Sequence, residues 1–174
     1  FQNAVLDLTG FEVLKENAPI KSFGKREIIY REGDTPKFLY YVKSGHIRNY
    51  KVTKDDKELV TGIYSAGDFF GYIDLLSPGT YNEFAISIEG AQLALISKED
   101  FEQLILSNKD VSLNFIKLLA GDIVDRENEL VSLAYNTVRK RVANALAKLY
   151  VKYQEGLAEK VEVVVTRDEL ASMV

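Results

Sequence analysis

Between Ser22 and Ile96 the chain repeats one texture: short runs of β-branched and aromatic residues, each closed by a turn signal. The runs are Ile28-Ile29-Tyr30, Phe38 to Val42, Ile47 to Val52, Leu59 to Tyr64, Phe84 to Ile88 and Leu93 to Ile96. Gly33-Asp34, Ser44-Gly45, Asp55-Asp56-Lys57, Gly67-Asp68 and Pro78-Gly79 separate them. Branched and aromatic side chains suit a pleated, half-buried surface, whereas Gly, Asp, Ser and Pro suit the tight backbone of turns. Six such runs at a spacing of roughly 8–12 residues predict an all-β sandwich or barrel.

The texture changes to helix on both sides. Residues 3–18 are modestly amphipathic through Leu6, Phe11 and Leu14 and predict one or two short helices ended by Ala18-Pro19. Ser97-Lys98-Glu99-Asp100 has the form of a capping box, followed by Phe101, Leu104 and Ile105 on one face. Ser107-Asn108-Lys109-Asp110 restarts a helix that runs to about Tyr135. Within it Ile116, Leu119, Ile123, Leu130 and Leu133 fall at alternating steps of three and four, and Arg126 fills the gap in the series. A helix of this length extends ~40 Å at ~1.5 Å per residue. A β domain of about 100 residues is too small to cover all of its stripe. A parallel homodimer, with Ile116, Leu119, Ile123, Arg126, Leu130 and Leu133 as its interface, is the simplest expectation.

Asn136-Thr137 opens a further helix with Val138, Val142, Ala145, Leu146, Leu149 and Tyr153 on one face. Over Thr137 to Tyr153 the charged residues are Arg139, Lys140, Arg141, Lys148 and Lys152, with no acid among them. The chain as a whole carries a net charge of −4, so this segment is where a phosphate backbone would be met. Val161 to Val165 reads as a short strand. Thr166-Arg167-Asp168-Glu169-Leu170-Ala171 reads as a capped helix, with Thr166 as the cap and Glu169 completing the box. Helix, strand and capped helix is how a winged helix-turn-helix begins. The first residue is not Met, and Met173-Val174 falls inside the last expected helix, so a fragment of a longer protein is expected.

Composition removes several functions. With 174 residues, no cysteine and one histidine, disulfides, thiolate zinc sites, iron–sulfur clusters and imidazole metal clusters lack their ligands. No metal or cofactor is expected. A cupin-like oxygenase would need two or three histidines near a carboxylate. No Ser/His/Asp set or phosphate-cradling glycine loop offers another catalytic centre, so no enzyme and no catalytic residue are expected. The N-terminus lacks a secretory layout and no run is long enough to cross a membrane, making a cytoplasmic location the default.

The glycines of Glu32-Gly33-Asp34, Lys43-Ser44-Gly45 and Gly67-Asp68-Phe69-Phe70-Gly71 occur in order with the long helix. Val138-Arg139-Lys140-Arg141-Val142-Ala143 and Thr166 to Ala171 follow it. In this combination the chain resembles the CRP/FNR family of bacterial transcription regulators over essentially its whole length. The resemblance implies an α+β molecule in three parts. Residues 1–107 would be a jelly-roll-like, cyclic-nucleotide-binding-like β-roll with flanking short helices, and 108–136 a dimerisation helix. Residues 137–174 would begin a winged helix-turn-helix that enters the DNA major groove, with Arg139, Lys140, Arg141, Thr166 and Arg167 as DNA-binding candidates. The function implied is a dimeric DNA-binding regulator, in which an effector or partner sensed by the roll re-aims the DNA-binding units.

The chain departs from that family at the phosphate cassette. Members that bind cyclic AMP read Gly-Glu-Leu and, about ten residues later, Arg-Ser or Arg-Thr; the glutamate holds the ribose and the arginine neutralises the phosphate. Here the first motif is Gly71-Tyr72-Ile73 and the second is replaced by Tyr81-Asn82-Glu83. From Glu58 to Ser97, forty consecutive residues hold no lysine or arginine. A buried, unpaired phosphate charge costs several kcal/mol, on the order given by. Backbone N–H groups near Gly71 would offset part of this, and Glu83 would work against it. Cyclic AMP binding in the family's manner is therefore not expected.

Gly71, Tyr72, Ile73, Tyr81, Asn82, Glu83 and Arg126 are the ligand-pocket candidates. Arg126 has two readings: an ion pair with Asp122, Glu129 or their counterparts in a partner chain, or a cation supplied to the pocket. Tyr64, Phe69, Phe70 and Tyr72 read as β-roll core, with Tyr72 and Tyr81 alternatively lining an altered pocket for an apolar or aromatic effector. His46 reads as a satisfied polar residue. The effector is unidentified, and an upstream signalling domain is an alternative source of input. A regulatory module gating a signalling partner that does not touch DNA is the alternative function; it leaves Thr166 to Ala171 unexplained.

Overall fold

The computed structural model describes residues 14–154 and 167–173. Its strands are β1 (Ile20–Phe23), β2 (Ile28–Tyr30), β3 (Phe38–Ser44), β4 (Ile47–Val52), β5 (Glu58–Tyr64), β6 (Phe69–Phe70), β7 (Phe84–Ser87) and β8 (Ala91–Ser97). They form two four-stranded sheets, ordered β1-β8-β3-β6 and β2-β7-β4-β5, with antiparallel pairing throughout. This is the expected sandwich-like roll. Two strands went unread in the sequence. β6 has only two residues, too few for a period, and the first three residues of β1 are exposed, so burial leaves no alternation to detect.

Ser44-Gly45 carries the chain from one sheet to the other. Gly45 sits at φ +84°, and a Cβ there would meet the Gly90 carbonyl oxygen at 2.5 Å and Ala91 Cα at 2.8 Å. Both obstacles are backbone, so only glycine fits the turn. Between the sheets lie Phe23, Tyr30, Tyr40, Val42, Ile47, Phe70, Tyr81, Ala85, Ala91 and Leu93, all buried.

The helices are α1 (Tyr72–Leu76), α2 (Lys98–Ser107), α3 (Lys109–Tyr135), α4 (Val138–Gln154) and α5 (Arg167–Ala171). Ser97 caps α2 by accepting from Asp100 N at 3.1 Å, and its hydroxyl donates to the Asp100 carboxylate at 2.7 Å. The acid thus bonds the cap side chain and not the cap N–H of a full capping box. Asn108 Oδ1 accepts from the N–H groups of Asp110 and Val111 and starts α3. A second core joins helices to the roll: Leu39, Tyr72, Leu75, Ile96, Phe101, Val111 and Phe115 are buried together. Only the first turns of α3 belong to it. α4 returns toward the roll, with Lys148 Nζ 2.7 Å from Glu129 Oε1 on α3 and the Tyr153 ring stacked 4.1 Å from His46. Val60 N donates to the Ser172 carbonyl at 2.9 Å, tying β5 to the residue after α5. Residues 14–17 are helical. The rest of the expected N-terminal helix, the expected strand over 161–165 and Thr166 lie outside the described residues.

Candidate ligand site

Aromatic stacking fills the interior of the roll. The Tyr30 and Tyr81 rings stack at 3.7 Å with an interplanar angle of 6°, Tyr40 stacks on Phe70 at 4.9 Å, and Tyr64 stacks on Phe70 at 5.2 Å. Tyr81 is therefore a core residue whose ring occupies space between the sheets. Its hydroxyl makes no well-formed hydrogen bond, because its neighbours, the Tyr40 hydroxyl and the Lys37 backbone, lie outside good geometry. Burial, foremost, holds the Tyr81 phenol well above its ordinary pKa.

Gly71 begins α1 at φ +83°. The next residue, Tyr72, is buried, stands edge-on to Phe115 at 5.6 Å, and donates its hydroxyl to Asp122 of α3. That bond connects the cassette to the long helix. Burial first, then donation to the Asp122 carboxylate, raises the Tyr72 pKa strongly; the Arg126 charge acts in the opposite direction. Ile73 is exposed.

One carboxylate, Glu83, occupies the second cassette motif, and Asp74 of α1 bonds its Asn82. Glu83 accepts from Asn49 Nδ2 and from Thr61 Oγ1, both at 2.6 Å. Asn49 Nδ2 also donates to the Tyr30 hydroxyl at 3.0 Å, so the buried amide fixes the carboxylate and the aromatic stack together. Asn82 Nδ2 donates to Asp74 Oδ1 at 2.5 Å. Asp74 is buried, and burial first, then repulsion from Glu83, holds its carboxyl above the ordinary range. An anion brought to this end of the roll would meet fixed negative charge.

Arg126 makes no ion pair among the described residues. Tyr72 holds Asp122, and Glu129 is paired with Lys148. The first reading of Arg126 is therefore unmet among the described residues of this chain. Its side chain lines a cleft of about 630 Å³ bounded by β5, α3, α4 and Met173. Of the other pocket candidates, none lines that cleft. The sequence missed this cleft, since its β5, α3 and α4 walls are remote in the chain and carry no shared motif.

On α3, Ile116, Ile123, Leu130 and Leu133 are 59%, 61%, 66% and 54% exposed, while Leu119 packs against the second core. Arg139 and Lys140 are exposed on α4, as is Arg167 on α5, whereas Arg141 turns into the cleft. Among the described residues no three side chains of metal-binding type converge.

Two outcomes follow from the tyrosine and carboxylate geometry. Tyr72→Phe should lower unfolding free energy by about 1–2 kcal/mol, since it strips a hydrogen bond from a carboxylate, while Tyr81→Phe should stay within about 0.5 kcal/mol of the parent; urea titrations compare them, and equal losses would contradict this. For Asp74, the raised pKa means that the folded chain retains a proton the unfolded chain has released. Its contribution to stability therefore falls as pH rises from the unfolded value of 3.8 through the folded one. Asp74→Asn keeps the oxygen that Asn82 bonds and removes the charge. It should raise Tm near neutral pH and flatten the profile on the acid side; superposable profiles would rule this out.

The cyclic nucleotide-binding domain model matches residues 20–108, just over half of the chain. The cyclic AMP receptor protein of Thermus thermophilus is 32% identical over 121 residues, covering 70% of this chain and 56% of that protein. The fumarate and nitrate reduction regulatory protein of Shigella dysenteriae is 25% identical over 149 residues, covering 85% and 58%. The chain thus spans just over half the length of these curated relatives. Among solved structures, the c-di-GMP-responsive global regulator CLP of Xanthomonas campestris superposes with a TM-score of 0.78 at 26% identity, covering 94% of this chain and 83% of that one. The chain belongs to the cyclic nucleotide-binding domain family and, within it, to the CRP/FNR regulators.

Proposed function

We propose that this chain is the sensing lobe, stalk and first part of the DNA-binding head of a dimeric, cytoplasmic transcription regulator. In this reading residues 1–107 sense, 108–136 pair two copies, and 137–174 open the winged helix-turn-helix. One observation carries it: the exposed apolar stripe on α3 leads directly into the acid-free basic segment of α4. An apolar row over several turns of helix is stable in water only when covered, and a second copy supplies an identical row. The exposed Arg139 and Lys140 next to it suit contacts with phosphates. The relatives, by name, are regulators and not catalysts.

The input is not cyclic AMP held by a cation in the roll. By name, one relative is a cyclic AMP receptor and another responds to c-di-GMP, so the effector varies among them. In this chain the roll interior is occupied by its own tyrosines, and Glu83 stands in the cassette with both carboxylate oxygens bonded.

Sedimentation of the full-length protein should give a dimer, and the double variant Ile123→Glu, Leu130→Glu a monomer. In gel-shift assays, Arg139→Ala with Lys140→Ala should weaken DNA binding across sequences and reduce the salt slope by about 2. A monomeric parent, or an unchanged slope, would defeat the reading. Isothermal titration with cyclic AMP should show no micromolar binding, and a saturable micromolar isotherm would overturn the account of the cassette.

A further inference from the structure

The cleft beside Arg126 is a site of a different kind from the cassette. Its floor is Leu59 to Ile63 of β5, and its walls come from α3 and α4. A volume of about 630 Å³ lies within the range of small-molecule sites, which are mostly apolar with a few fixed polar groups. Leu59, Leu133, Ala145 and Leu149 give it that apolar lining. Among the described residues its charged side chains are Arg126, Arg141, Lys148, Asp125 and Glu129. Lys148 and Glu129 neutralise each other at 2.7 Å. Arg126 bonds no carboxylate among the described residues; Asp122 and Glu129, four before and three after it on α3, are held by Tyr72 and Lys148. A guanidinium presents a planar fork of donors that fits a carboxylate with two parallel bonds.

We propose that this cleft binds a small organic monoanion whose carboxylate is held by Arg126 and whose apolar body lies against Leu59, Leu133 and Leu149. The bound molecule touches both the roll and α4. It therefore favours the arrangement in which α4 lies against β5, by its difference in affinity between that arrangement and any other. This is the arrangement in which Val60 bonds Ser172 and His46 stacks on Tyr153. Binding stands without the DNA-binding reading; only its regulatory consequence rests on that reading.

The test is isothermal titration of the full-length protein with octanoate and with naphthalene-2-carboxylate, using 1-octanol as an uncharged match. At least one acid should bind saturably, one per chain, and more tightly than the alcohol. Arg126→Gln should weaken the acid by about tenfold or more, as expected on losing a charged hydrogen bond, and leave the alcohol unchanged. Ala147→Trp, which fills the cleft from an exposed position, should abolish binding of both, with circular dichroism confirming that the variant folds. Absence of binding by either acid, equal affinity for acid and alcohol, or acid binding indifferent to Arg126→Gln each overturns the proposal. None of these results would alter the dimer or gel-shift outcomes, so the two readings fail separately.

Discussion

The structure depends on the aromatic stack between the two sheets. Tyr30, Tyr81, Tyr40, Phe70 and Tyr64 come from β2, the loop before β7, β3, β6 and β5, so every layer of the roll contributes a ring. Each aromatic side chain removes roughly 150–250 Å² from water, and rings in contact at 3.7 to 5.2 Å leave no room for a ligand of similar size among them. The same packing that holds the sheets together closes the interior. A cleft lies apart from the stack, between β5 and the returning helices.

Electrostatics reinforces this closure. Glu83 is anchored by the Asn49 amide and the Thr61 hydroxyl, and its charge helps to hold the Asp74 carboxyl above its ordinary range. With no lysine or arginine from Glu58 to Ser97, that region offers no local cation in its own sequence, and the donors come from amides and hydroxyls. Arg126, which pairs with no carboxylate among the described residues, comes from α3. Tyr72 bonds Asp122, one of the acids a turn from Arg126. This end of the roll thus carries carboxylates, and Arg126, on α3, is not part of the cassette.

The long helix joins these features to function. Val111 and Phe115 anchor its start in the second core, after which its apolar row at Ile116, Ile123 and Leu130 faces solvent. It carries α4, which returns to touch the roll through Tyr153, and Lys148 reaches α3. The roll and the basic helix are therefore in direct contact as well as linked through α3.

The sequence by itself determined the roll, its turns and the helix order. Strand runs, turn dipeptides and capping residues are local signals, set by backbone sterics and hydrogen bonds between near neighbours. Ser97, Asn108 and Gly45 act where their spacing implied. The charge inversion at Tyr81-Asn82-Glu83 was also legible, because it needs only a count of side-chain types. The fold, and not the local sequence, decides that Tyr81 stacks on Tyr30, that Tyr72 takes Asp122, and that Arg126 lines a cleft built from distant segments. These are contacts between residues 50 or more positions apart, as with Tyr72 and Asp122, and such pairs leave no periodic trace in a sequence. Which partner a polar side chain takes is settled by what else is buried beside it, and only the folded chain supplies that.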